Sequence, residues 1–138
     1  MQKSEKKSLQ LKTDERGWLI ELLKGSELPA EIKSKGLGQV YLTVAKPGAI
    51  KGNHYHLRKT EWFCVIKGTA KLVLHDNKSK KTEEMLLTAE NPCRIKIPPN
   101  TFHAIKNIGD EEMYVVCYID EEFNQNNPDT YYDVKIDI

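Results

Sequence analysis

The sequence predicts an all-β domain, an antiparallel sandwich or barrel, on three observations. From Val40 onward, short runs rich in β-branched and aromatic residues recur about every ten residues. Each run is closed by turn chemistry, and none is followed by the long amphipathic stretch that a βαβ unit needs. The 138 residues, 39% hydrophobic and 30% charged, suit one core in a single domain spanning 1–138.

The opening "MQKSEKKSLQLK" is polar and lysine-rich, so about 1–12 are expected to be a loose N-terminal segment and not a signal peptide. "WLIELL" (Trp18–Leu23) is apolar at a length where a strand and a helical turn cannot be told apart. "VYLTV" (Val40–Val44) is a strand broken by "KPG". "EWFCVI", "AKLVLH", "EEMLL", "RIKI", "HAIKNI" and "MYVVCYI" follow, separated by "KGT", "DNKSKK", "ENP", "PPN" and "IGDEE". That makes six to eight strands. The polar stretch over 120–138 is expected to wrap back onto the barrel or onto a partner subunit.

Net charge is +1, so no global field favours nucleic acid, and no apolar run is long enough to span a bilayer. The three cysteines, Cys64, Cys93 and Cys117, are odd in number and widely spaced, which predicts reduced thiols in a cytoplasmic protein. Cys64 and Cys117 sit in apolar runs and are expected to be small core residues.

The chemistry concentrates in "GAIKGNHYHLRKTEWFCVIKG" (Gly48–Gly68) and "IPPNTFHAIKN" (Ile97–Asn107). On a strand, His54 and His56 at i and i+2 would share a face, with Tyr55 pointing the other way. "LRKT" leaves room for a turn that brings Glu61 beside them. His103 follows a rigid double proline at the start of another strand. Three imidazoles and one carboxylate suit a borderline divalent metal, Zn²⁺ first and Fe²⁺, Ni²⁺ or Mn²⁺ as alternatives. The fourth histidine, His75, ends a strand and is expected to be solvated.

Gly48, five residues, His54-x-His56, four residues, Glu61, six residues and Gly68 matches the first signature of the cupin superfamily. Pro98, Asn100, His103 and Asn107 resemble its second signature, with Asn100 replacing a glycine and Pro92 standing at the leading glycine. Asn100 tolerates the left-handed turn such a position needs. The resemblance implies a cupin double-stranded β-helix, or jelly-roll barrel, with His54, His56, Glu61 and His103 as metal ligands. A metal-free pocket is the alternative, since several cupins have lost the ion.

With "NQNNPDTYYDV" included, the chain resembles the C-terminal metal-binding cupin domain of the CapF-type capsular-polysaccharide enzymes. It is more distantly similar to the RmlC-like 3,4-ketoisomerases and 3,5-epimerases of dTDP-sugar metabolism. These resemblances imply an isomerase acting on a 4-keto-6-deoxy nucleotide sugar in polysaccharide biosynthesis, with a separate sugar-nucleotide reductase as a possible partner. Removing and returning a proton α to a ketone needs a base and a stabilised enolate. A metal at the cluster would polarise the ketone. Without one, His54 or His56 would serve as base. Tyr41 is the first choice to return the proton and Tyr118 the second, and Lys51 is a candidate contact for a diphosphate. Two other readings stay open: a non-catalytic sugar- or sugar-nucleotide-binding module, and a metal-dependent cupin oxygenase acting on another small molecule. Exposed strand edges and the extended tail predict a homodimer, formed through an edge or by tail exchange.

Overall fold

Among the described residues, ten strands fold into two antiparallel sheets facing each other across one core. The computed structural model describes Ser8, residues 10–30 and residues 36–138. The strands are β1 (Leu11–Asp14), β2 (Gly17–Lys24), β3 (Gln39–Ala45), β4 (Ile50–His54), β5 (Glu61–Lys67), β6 (Thr69–Asp76), β7 (Thr82–Thr88), β8 (Ile95–Ile97), β9 (Thr101–Asn107) and β10 (Met113–Ile119). One sheet runs β1-β2-β3-β10-β5-β8 and the other β4-β9-β6-β7. This is the jelly-roll barrel that the strand spacing and both signatures imply. No helix among the described residues is long and apolar enough to cross a membrane.

Alternation decides what each strand buries. In β10, Met113, Val115, Cys117 and Ile119 point inward, while Tyr114, Val116 and Tyr118 are half-exposed on the outer face. Phe63 and Val65 of β5 meet Leu72, Leu87 and Ile105 of the opposite sheet, closing the core at one end of the barrel. The apolar part of the core leaves the other end to the polar residues described below.

Three expectations are refined. Trp18–Leu23 is strand, the middle of β2, because it pairs along its length with β3 and, over Trp18–Ile20, with β1 as well. β1 was not anticipated: "LKTD" is exposed at all four positions, so no apolar alternation announces it. It opens with Leu11 and Lys12, the last residues of the expected N-terminal segment, most of which lies outside the described residues. The strand expected to carry both His54 and His56 ends at His54: a bulge between Gly52 and His54 shifts its register with β9, and Tyr55 then bridges to Tyr131 of the tail.

The outer face of the larger sheet is unusually aromatic. Trp18 packs edge-on against Tyr114 at 5.8 Å between centroids, and Trp62 lies tilted against Tyr118 at 5.6 Å. Leu42, Cys64 and Val116 lie between them in register, half-buried. Tyr118 therefore points away from the interior, and its expected second-choice role in proton transfer does not hold.

The tail after β10 returns to the barrel. Tyr131 pairs with Tyr55 through two backbone hydrogen bonds of 3.0 and 3.1 Å, and their rings stack. Asp129, with a backbone φ of 50°, is buried beneath the turn that follows His56.

A candidate metal centre at one end of the barrel

His54, His56, Glu61 and His103 come together from both sheets, with one potential ligand atom from each lying within 4.8 Å of the others. His54 and His103 are cross-strand partners at the bulged end of β4 and β9, so the smaller sheet presents them side by side. Glu61 is the first residue of β5 in the larger sheet. His56 sits between the sheets, just past the isolated bridge that Tyr55 makes with Tyr131. The turn before β9 is tied to this position as well: Asn100, with a φ of 59° as its motif predicts, donates its N–H to the His56 carbonyl at 2.6 Å. The two sequence signatures are thus hydrogen-bonded to each other.

The bulge sets which side chains face inward. Gly52 (φ 81°) and Asn53 (φ 66°) both adopt left-handed backbone, adding a residue opposite β9. A Cβ on Gly52 would come within 3.0 Å of the His103 carbonyl oxygen, so glycine is required there.

His56 Nε2 lies 2.6 Å from Glu61 Oε1, while its Nδ1 faces the Asp129 carbonyl at 2.7 Å. A carbonyl can only accept, so Nδ1 carries the proton and Nε2 is aimed at the carboxylate. Tyr41, on β3, donates its hydroxyl to Glu61 Oε2 at 2.8 Å. His103 Nε2 is buried 3.5 Å from Glu61 Oε1 and makes no hydrogen bond. A buried ring nitrogen without a partner is costly in a purely structural role. Three imidazoles and a carboxylate drawn this close, with the buried His103 Nε2 lacking a hydrogen-bond partner, are a donor set that suits a borderline divalent cation.

The electrostatics separate the three histidines. Burial first, then the neighbouring His103 and His56 rings, pushes His54 down to about 3. Burial also disfavours a charge on His56, but the Glu61 hydrogen bond and charge outweigh it, and its pKa lies above the usual 6.5. Burial would raise the Glu61 carboxyl, yet His103 and His56 hold it well below the ordinary carboxylate range. Burial, followed by Cys117 and Glu61, pushes the Tyr41 phenol well up, so its proton is retained at neutral pH.

These shifts fix how stability depends on pH. Unfolded His54 takes up a proton near pH 6.5 that the folded residue refuses down to about 3, so stability falls by about 1.4 kcal/mol per pH unit below 6.5. His56 has the opposite sign: its contribution is complete below 6.5 and lost as pH rises through its raised value. Glu61 contributes fully above 4.5 and loses its contribution only below that value. The metal-free protein is therefore expected to be most stable near neutrality. It should lose about 2 kcal/mol between pH 6.5 and about pH 5 in urea unfolding. His54→Gln should flatten that limb, and an unchanged slope would disprove the assignment.

A cavity of about 410 Å³ opens beside the cluster, lined by Tyr41, Lys51, His54, Lys59 and Tyr132 among others. A second lobe of about 240 Å³ reaches Thr43, Phe63 and His103. Tyr41 and Lys51 face the interior, whereas His75 lies away from it and bonds Thr82 Oγ1 at 2.7 Å. The cysteines are free thiols; Cys117 is buried and Cys64 half-buried on the outer face.

Three contributors escaped the sequence reading. Asp129 orients His56. Lys59, almost fully buried, donates to the Pro128 carbonyl at 3.0 Å, and Tyr132 packs edge-on against His54 at 5.7 Å between centroids. All three involve "NPDTYY", whose distinctiveness was visible but whose contacts were not.

A family model described as the polysaccharide biosynthesis C-terminal domain matches residues 12–131. A Pseudomonas aeruginosa UDP-2-acetamido-2,6-beta-L-arabino-hexul-4-ose reductase is 34% identical over 86% of this chain, which spans only 30% of that enzyme. The Bacillus subtilis spore coat polysaccharide biosynthesis protein SpsL is 27% identical, the match covering 89% of this chain and 82% of that one. The probable low-salt glycan biosynthesis epimerase Agl13 of Haloferax volcanii is 25% identical, covering 91% and 82%. The Staphylococcus aureus capsular polysaccharide assembling protein CapF superposes with a TM-score of 0.82 at 30% identity, over 94% of this chain and 35% of CapF. Oxalate decarboxylase of Bacillus subtilis, at 19% identity and a TM-score of 0.69, shares the fold.

Proposed function

The chain belongs to the polysaccharide biosynthesis C-terminal domain family, and from that premise we propose that it is a metal-dependent epimerase or isomerase of a 4-keto-6-deoxy nucleotide sugar. The observation that carries this reading is the Tyr41–Glu61 hydrogen bond at the edge of the imidazole cluster, which places a retained proton beside a cation-ready site in one cavity. The name of one relative, a reductase of a UDP-linked 4-ulose, supports the substrate class, and that of another, a probable glycan biosynthesis epimerase, supports the reaction type.

In this reading His54, His56, Glu61 and His103 hold the ion, zinc being the best match to three nitrogens and one oxygen. When bound, a divalent ion supplies Lewis-acid polarisation of a ketone oxygen. Tyr41 holds the proton that is returned to carbon, and Glu61 orients its hydroxyl. Lys59 and the tail narrow the entrance and limit water. Metal analysis of untagged protein beside His103→Ala tests the site: near-stoichiometric metal in the parent, lost in the variant, is the expected result. Keto-sugar turnover that chelation abolishes would confirm the reaction class. Metal retained without turnover would favour a binding module, and iron with oxygen uptake would favour an oxygenase.

One observation favours a second, metal-free mechanism. His54 borders the cavity, makes no hydrogen bond to the described residues and is unprotonated at neutral pH, so a ring nitrogen is free to face a substrate α-proton. Its pKa of about 3 makes it a weak base, and a faster rate would need the substrate to raise that value. Turnover that survives complete chelation would select it, with His54 taking the α-proton and Tyr41 returning one; His56, whose two ring nitrogens both face acceptors, already holds its protons.

A cytoplasmic setting suits the free thiols and a nucleotide-linked substrate. A separate reductase is the expected partner for the product. The aromatic outer face of the larger sheet supports a homodimer formed by sheet packing, in place of edge pairing or tail exchange. Light scattering should report twice the 15.9 kDa chain mass, and Ile66→Lys, at an exposed position of that face, should yield monomer. A monomeric parent would sink this arrangement.

A further inference from the structure

The bulge within β4 has a second consequence for the cavity. In regular pairing Lys51 and His54, three residues apart, would face opposite sides of the sheet. The extra residue at Gly52–Asn53 shifts the alternation, so Lys51 sits opposite Ile105 and His54 opposite His103, both inward. Lys51 is 8% exposed and lines both lobes of the cavity. Among the described residues it makes no hydrogen bond or ion pair.

The other charges around the cavity have partners. Asp14 is held by Arg16 at 2.6 Å, Glu21 by Lys12 at 2.6 Å, and Lys59 by the Pro128 carbonyl at 3.0 Å and the Phe123 ring. Lys51 alone among these is an inward ammonium with no hydrogen-bonding or ionic partner among the described residues. Burial, and then the nearby Arg16 guanidinium, lowers its pKa, with Asp14 opposing more weakly. A fold gains nothing from such a group, and a lysine at this position would ordinarily be disfavoured.

We propose that Lys51, with Arg16 beside it at the mouth, is a phosphate-binding subsite of the cavity. Lys51 and His54 are three strand positions apart, so their Cα atoms are at most about 10 Å apart. That span accommodates one pyranose ring with its ketone at the imidazole cluster and its anomeric phosphate at the lysine. The inference rests on the sugar-nucleotide reading and deepens it: the glycosyl phosphate, and not the base, anchors the substrate in register with the cluster. The phosphate would supply the missing counterion, and the left-handed Gly52–Asn53 bulge is the device that puts both ends of the substrate on one face.

The test is calorimetric titration of the full chain, stripped of metal so that phosphate has no ion to ligate. UDP and inorganic pyrophosphate are the probes, and Lys51→Met and Arg16→Gln the variants. Lys51→Met should lose about 10- to 100-fold in affinity for both probes, the loss expected for one charge-assisted hydrogen bond. Its melting temperature should stay level or rise, since a buried unpaired charge is gone, whereas a structural lysine would leave it less stable. Arg16→Gln, at an exposed position, should lose less and keep the parent's melting temperature within a few degrees. Parent binding to neither probe, or variant affinities equal to the parent's, would overturn the subsite. Pyrophosphate binding that depends on Lys51, with no binding of UDP, would uphold the subsite and overturn the nucleotide-sugar reading.

Discussion

Glu61→Ala is expected to abolish divalent-metal binding and to destabilise the metal-free protein by about 3–5 kcal/mol. Glu61 is 2% exposed and bonds His56 at 2.6 Å and Tyr41 at 2.8 Å, with His103 a further 3.5 Å away. Removing it leaves an imidazole whose charge it stabilised and a phenol that has lost its acceptor, all out of water. The double variant His56→Leu/Glu61→Leu should recover most of the lost stability, because two apolar groups of similar size replace both ends of a buried pair. It should still bind no metal. That contrast separates a pair kept for chemistry from one kept for folding. Urea unfolding and metal titration check both halves, and parent-like metal affinity in Glu61→Ala would refute the ligand set.

The second large effect lies 68 residues downstream of Glu61, in the tail. Asp129 accepts the backbone N–H groups of Leu57 at 3.0 Å and Arg58 at 2.9 Å, while its own carbonyl receives His56 Nδ1–H at 2.7 Å. Its side chain is fully buried. Asp129→Ala should cost about 3 kcal/mol, from two N–H groups left without acceptors. Metal affinity should fall by about 10- to 100-fold, because the partner that sets the His56 tautomer loses its anchor. Asp129→Asn tolerates the same left-handed backbone and should fall between the two. A loss of stability with metal affinity unchanged would restrict Asp129 to holding the turn.

The His56–Asp129 contact also marks where sequence reasoning stopped. β5 and β10 were legible because alternation is local: Phe63 and Val65, or Met113, Val115 and Cys117, repeat at the period of the pleat. The four clustered residues were legible because their spacing is itself a fingerprint. β1 was not, since an exposed edge strand is held by backbone pairing alone and leaves no side-chain pattern. Tyr118 was misassigned for a related reason. Its apolar run is continuous, so period could not say which side chains turn inward until the pairing with β3 and β5 fixed the face.

The residues that alternate or recur at fixed spacing determined by themselves the all-β class, the barrel, the turn at Asn100 and the chemical character of the His54, His56, Glu61 and His103 cluster. Tertiary structure alone decided that the two histidines of the pair reach the interior by different routes, that Lys51 shares their cavity, and that the tail returns to lock His56. Each of these depends on a bulge or on a contact between distant segments. Such features change which face a side chain occupies without changing the local pattern of residue types that a sequence displays.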